Sequence, residues 1–93
     1  MAFNLFLGFT FVYPQKQCNI DSLIKINGVY EKIGNKKLTG LVNVYELNNY
    51  KKRFLGNLMD GKKQGTWKEF HPNKRILVEN YKNGNLDGAV SLF

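Results

Sequence analysis

The sequence predicts an all-β fold, an antiparallel single-layer meander of β-hairpin repeats in a twisted or curved sheet. The first observation behind this is a phrase written three times: a turn pair, three residues, a glycine, then an aromatic five positions later. The copies are Asn35-Lys36 to Gly40 to Tyr45, Asp60-Gly61 to Gly65 to Phe70, and Asn83-Gly84 to Gly88 to Phe93. The second is their spacing. Glycines about 23 to 25 residues apart suit one two-stranded hairpin per unit and are too widely set for a heptad or collagen period. The third is hairpin punctuation: Asn27-Gly28, Asp60-Gly61 and Asn83-Gly84 supply residues that accept positive φ at both centres of the favoured two-residue turn. Asn35-Lys36, Asn48-Asn49 and Asn73-Lys74 are weaker versions of the same signal, resting on asparagine's tolerance of the left-handed region.

Taken in order, the elements begin with the apolar run MAFNLFLGFTFVYP. It has the length of a signal-peptide core but lacks a basic lead and a small-x-small cleavage site, and it is too short to span a bilayer. Gly8 is followed five residues later by Tyr13 and then Pro14, as Gly65 is by Phe70, His71 and Pro72, which makes a degenerate repeat strand over Phe3 to Tyr13 the simpler reading. Pro14 to Asp21 reads as the one irregular loop. Ile20 to Ile26 carries a capping residue in Asp21 or Ser22, but four apolar residues around one lysine, ending at Asn27-Gly28, favour a strand over a helix. Strands follow over Ser22 to Ile26, Val29 to Ile33, Leu41 to Leu47, Arg53 to Leu58, Thr66 to Phe70, Ile76 to Tyr81 and Ala89 to Phe93. All are short, rich in aromatic and β-branched residues, and bounded by turn formers.

Alternation along the strands that open at Gly40, Gly65 and Gly88 places Tyr45, Phe70 and Phe93 on one face and Val42, Trp67 and Val90 on the other. On this reading each repeat glycine leaves bare backbone for a large ring from a neighbouring strand to cover. Both faces then carry an apolar ladder, as a single sheet with partial cover on each side would.

Ninety-three residues make one domain, with 43% hydrophobic and 23% charged residues, too apolar for a disordered chain. Fourteen Lys and Arg against seven Asp and Glu give a formal charge of +7, which attracts nucleic acid, anionic lipid or an acidic protein. These cations come singly or in short groups, as in Lys36-Lys37, Lys51-Lys52-Arg53, Lys62-Lys63 and Lys74-Arg75, the pattern of lysines that solvate turns and edge strands. Cys18 is the only cysteine and closes no intrachain disulfide, and a cytoplasmic setting is expected.

Catalytic residues, cofactor ligands and metal ligands are all expected to be absent. The sole histidine, His71, stands beside Pro72 at a hairpin tip, where a solvated turn residue fits better than a general base. No Cys-x-x-Cys or paired-histidine spacing, Gly-x-Ser-x-Gly elbow or phosphate loop occurs. Asp60, Asp87, Glu69 and Glu79 recur at turn or strand positions as turn formers and cross-strand partners of lysine.

The stretch GKKQGTWKEFHPNKRILVENYKNGNLDG resembles the MORN-variant repeat of bacterial proteins often described as antitoxin components. Gly65, Trp67, Phe70, Asn73, Tyr81, Asn83, Gly84 and Gly88 carry the likeness. Two full units from Leu38 to Phe93 match, and residues 1 to 37 match loosely as a degenerate N-terminal part of one domain. Lys74 stands where the pattern has glycine, and Leu47 to Lys52 holds two extra residues relative to the matching tip. The resemblance implies an antiparallel single-layer sheet with an interaction role.

The expected function is accordingly a non-enzymatic protein-interaction module, antitoxin-like or immunity-like. Its binding face would hold Trp67, Lys68, Phe70, Tyr45 and Tyr81, with Gly40, Gly65 and Gly88 as structural glycines. The partner is expected to be an acidic or neutral protein. The alternative is weak, salt-sensitive binding of anionic lipid or nucleic acid through a basic aromatic sheet face. A homodimer through Leu92 and Phe93 is also expected, because the last apolar strand offers an unpaired edge.

Overall fold

The structure, a computed structural model, describes residues 16–93. The strand expected over Phe3 to Tyr13 lies outside them. Ten strands follow in chain order: β1 (Lys16–Asn19), β2 (Leu23–Ile26), β3 (Val29–Lys32), β4 (Lys36–Lys37), β5 (Leu41–Asn48), β6 (Lys51–Met59), β7 (Lys62–Phe70), β8 (Ile76–Lys82), β9 (Asn85–Leu86) and β10 (Ser91–Leu92). The only helical element among the described residues is a single 3₁₀ turn, Ile20–Ser22, whose start is capped by the Asn19 side chain accepting from the Asp21 N–H at 2.9 Å. The fold is all-β and open. Strands β9-β8-β7-β6-β5-β1 lie side by side in that order, β10 also pairs with β8, and β2-β3-β4 form a smaller sheet of their own.

Four hairpins turn through two residues, and in each both central residues take positive φ: Asn27-Gly28, Asn49-Tyr50, Asp60-Gly61 and Asn83-Gly84. This is the turn whose twist matches that of the strands it joins. Three stand where the sequence places them. The fourth is one residue later than the Asn48-Asn49 expected, because Asn48 pairs with Lys51 and so leaves Asn49 and Tyr50 as the centre. The tip between β7 and β8 is longer, and there Lys74, in the place of a patterned glycine, holds φ at +67°.

The repeat glycines have a different role from the one expected. A Cβ at Gly40, Gly65 or Gly88 would meet nothing within 4 Å, so no ring covers them. All three have positive φ, +76° at Gly65, and they break long strands. Before Gly65, Gln64 to Lys62 pair with Asn57 to Met59 of β6; from Gly65 onward, β7 pairs with Tyr81 to Ile76 of β8. Gly40 likewise separates β4, paired with β3, from β5, paired with β6. Gly40 and Gly65 are thus bends, set by backbone conformation, at which a strand changes partners, while Gly88 separates β9 from β10, both paired with β8.

The stretch expected as an irregular loop, Pro14 to Asp21, instead contributes β1, which runs parallel to β5 with Cys18 opposite Val44. A parallel pair needs a long connection, and the whole β2-β3-β4 sheet supplies it. That smaller sheet is also the lid of the core. Val44, Leu58 and Trp67 are buried, and Ile20, Leu23, Tyr30 and Leu38 pack over them together with Leu55 and Tyr81. Leu55 is the extra residue of a bulge in β6, since Val44 pairs with Gly56 and Tyr45 already with Phe54. Hairpin tips dock in series: the Tyr30 N–H donates to the Gly61 carbonyl at 2.7 Å, and the Gly84 N–H to the Lys63 carbonyl at 2.9 Å.

Candidate functional site

Each of the five residues expected on one binding face is placed by strand alternation and by which face the β2-β3-β4 sheet covers. Trp67 points into the core, 5% exposed, and lies flat on Gly56, where a Cβ would stand 2.5 Å from the ring. Its indole N–H donates to the Asn57 carbonyl at 2.8 Å. It therefore anchors the fold and presents nothing to a partner, which corrects its place on a binding face.

Tyr81 joins Trp67 under a shared cation. The Lys63 ammonium stands 4.8 Å from the Trp67 ring centre and 4.7 Å from that of Tyr81. Burial, and then the nearby Lys25 charge, lower the pKa of Lys63 below its ordinary value. The Tyr81 hydroxyl donates to Glu79 at 3.0 Å; burial first, and this bond to a carboxylate second, push its pKa from 10.0 up to about 12. The stem of Lys63 over two rings closes the side of the core, the way long cationic side chains cover apolar surface.

Phe70 is separate again. Its ring lies under the Arg53 guanidinium at 4.1 Å, and Arg53 is paired with Glu46 through Nε at 2.7 Å. Arg53 and Glu46 project to the face opposite Phe54 and Tyr45, their neighbours in β6 and β5. Lys68 is exposed on β7 opposite Val78. The structure thus brings Trp67 with Tyr81 and divides Phe70, Lys68 and Tyr45 among three places.

Tyr45 heads a group that the sequence reading did not assemble. On the outer face of β5 and β6 it meets Phe54 edge-on, with ring centres 6.0 Å apart, and the Lys52 ammonium sits 4.7 Å from its ring centre. Leu41 stands opposite Met59 on the same face, with the Asn43–Asn57 pair between the two apolar pairs. Leu47 extends the row, and Leu41, Leu47, Phe54 and Met59 are each at least 40% exposed. Strand alternation marks Leu41, Tyr45 and Leu47 as one face, and the bulge at Leu55 turns Phe54 onto it beside Met59. The covered side could not be read from alternation, because the β2-β3-β4 lid is a nonlocal contact.

A second feature joins cations that are remote in sequence. Lys16 and Gln17 of β1, Lys32 of β3, and Lys36 and Lys37 of β4 surround a cleft of about 400 Å³ floored by Cys18, Leu38 and Val42. It continues past Lys32 and Lys36 to Asn19, Asp21 and Tyr45. Lys16 reaches across the opening to the Thr39 carbonyl at 3.1 Å. No ion pair involves any of these four lysines among the described residues.

His71 is a turn residue: its N–H donates to the Arg75 carbonyl and its carbonyl accepts from Lys74, with the ring 3.7 Å from Glu69. No group of three potential metal ligands occurs among the described residues, and no helix there is long and apolar enough to cross a membrane. Comparison with protein-family models, with curated proteins and with solved structures finds no match to this chain. The likeness to MORN-variant repeats therefore rests on the residues that carry it.

Proposed function

We propose that this chain is a non-enzymatic protein-interaction module of the antitoxin or immunity-protein kind, acting in the cytoplasm. The observation that carries the reading is the outer face of β5 and β6, where exposed Leu41, Leu47, Phe54 and Met59 form an apolar row with half-buried Tyr45 and with Lys52 on its edge. Exposed apolar groups gathered on one sheet face, with aromatic anchors and a cation at the rim, have the composition of an interface centre. The MORN-variant resemblance points the same way. The partner surface is apolar with an acidic border, given the chain's charge of +7.

The test is in-cell crosslinking of the full chain, comparing wild type with a Tyr45→Ser, Phe54→Ser double variant that keeps its circular dichroism. Wild type is expected to recover one dominant partner, and the variant to lose it. Recovery of the same partner at the same yield by the variant would overturn the reading. Attraction of anionic lipid or nucleic acid by the surplus lysines is the second reading, favoured by the lysine-lined cleft. Its signature is weak binding that fades steeply as salt rises.

A further inference from the structure

The lysine-lined cleft lies between two strand edges. In the order of the larger sheet β1 is terminal, paired on one side with β5, and in the smaller sheet β4 is terminal, paired on one side with β3. Among the described residues neither has a strand on its other side. Side chains of both strands line the same cleft. Edges of this kind carry a row of backbone donors and acceptors and are templates for another strand.

Charge decides what sort of strand. Lys16, Lys32, Lys36 and Lys37 line the cleft, Lys32 and Lys36 as a directly opposed pair and Lys37 opposite Glu31, and Asp21 is the one acid lining the cleft's extension. The first fifteen residues contain neither Asp nor Glu, so that part of the chain offers these lysines no counter-ion. A second copy, itself at +7, is repelled by them. The apolar floor of Cys18, Leu38 and Val42 calls for an apolar side chain between the charges. In an extended segment successive side chains point to opposite faces, so alternating acidic and apolar residues meet lysine rim and apolar floor in turn.

We propose that this cleft binds an extended acidic segment of a protein partner, which adds as a strand along β1 with its carboxylates between Lys16, Lys32, Lys36 and Lys37. The inference rests on the protein-interaction reading and supplies that partner with a recognisable segment. Main-chain hydrogen bonds give such docking its affinity, and the lysines give it its choice of sequence.

The full chain is titrated with a peptide of about eight residues alternating Glu and Val, at about 0.15 M salt, where screening acts beyond about 8 Å. Amide resonances record the site. The expected result is saturable binding with shifts concentrated at Lys16 to Asn19 and at Lys36 and Lys37. The Lys32→Ser, Lys36→Ser double variant, altered only at exposed positions, is expected to bind about tenfold more weakly, as loss of two partly screened ion pairs implies. The same peptide N-methylated at alternate residues, which keeps its charge and loses its ladder donors, is expected to lose binding altogether.

Equal binding of the N-methylated peptide would overturn the strand-addition claim and leave charge attraction alone. Tighter binding of a charge-matched single-stranded oligonucleotide, or of vesicles with anionic headgroups, at the same amides would overturn the choice of a peptide. No peptide binding, or shifts confined to other residues, would overturn the site. A Phe54→Ser, Met59→Ser variant, altered on the outer face at residues that do not line the cleft, separates this from the broader reading. If wild type recovers a partner through the outer face while the peptide does not bind, the cleft proposal fails and the interaction module stands.

Discussion

At Gly56 an added Cβ would stand 2.5 Å from the Trp67 ring, while at Gly65 it would meet nothing within 4 Å and the backbone instead holds φ at +76°. The two glycines belong to neighbouring strands, β6 and β7, and each excludes larger residues for a separate reason. One is a matter of space in the core, the other of conformation at a bend. The repeat pattern contains Gly65 and its equivalents Gly40 and Gly88, because every unit must bend. It does not contain Gly56, which serves only the place where Trp67 lies flat on a neighbour.

The comparison breaks most easily at Trp67. Trp67→Ala is expected to cost about 3–5 kcal/mol, the usual range for emptying a large aromatic site, which in a domain of this size approaches complete unfolding. Gly56→Ala is expected to cost about 1–3 kcal/mol through overpacking against the ring. The informative experiment is a double-mutant cycle in urea. In a Trp67→Leu background the ring is gone, so Gly56→Ala should become nearly neutral, whereas Gly65→Ala should cost the same in both backgrounds. If Gly56→Ala stays equally costly without the indole, the spatial explanation is wrong.

Gly65→Ala alone is expected to destabilise by about 1–2 kcal/mol, the cost of holding a Cβ in the left-handed region. Gly65→Asn should cost less, since asparagine tolerates that region. Equal losses for alanine and asparagine in thermal unfolding would argue against a conformational cause.

How much of this the sequence shows depends on whether the cause is local. The two-residue turns at Asn27-Gly28, Asp60-Gly61 and Asn83-Gly84, and the strands they join, are legible because the positive φ values are written into adjacent residues. The strand Lys16–Asn19 is not, for Lys-Gln-Cys-Asn has no alternation and its pairing partner lies beyond an intervening sheet. Trp67, Phe70 and Tyr45 are legible as a ladder but not as inside or outside, since that choice is made by the β2-β3-β4 lid. The four lysines of the cleft sit on three strands, and nothing but topology brings them together.

The same inside-outside division shows in titration. Tyr81, with its pKa raised to about 12 against an ordinary 10.0, stays protonated in the folded chain where the unfolded chain has begun to ionise. The folded state therefore binds more protons between those values. The stability this contributes is fully present below about pH 10 and is lost as pH rises towards 12. The lowered pKa of Lys63 works the other way, relieving a cost as its ammonium deprotonates, so the net fall is partly offset. Tyr81→Phe should flatten the alkaline decline in urea midpoint. An unchanged slope would mean that the hydrogen bond to Glu79 does not govern this titration.

The smallest expected effect runs in the opposite direction and tests the conformational half of the comparison without removing any glycine. Tyr50 holds φ at +65° with its side chain 98% exposed, so it bears the cost of the left-handed region and packs against nothing in return. Replacing it by glycine removes about 1–2 kcal/mol of backbone strain and gives back about 0.5–1 kcal/mol through the freer unfolded chain. Tyr50→Gly is therefore expected to stabilise by roughly 0.5–1 kcal/mol, which in a domain of this length raises the melting temperature by about 2–8 °C. Lys74→Gly, at +67° in the β7–β8 tip, should act in the same sense and add to it, since the two tips are separate two-strand turns. If both substitutions lower the melting temperature, backbone conformation does not set the cost at these turns. The case for Gly65 as a conformational glycine would then fall with it.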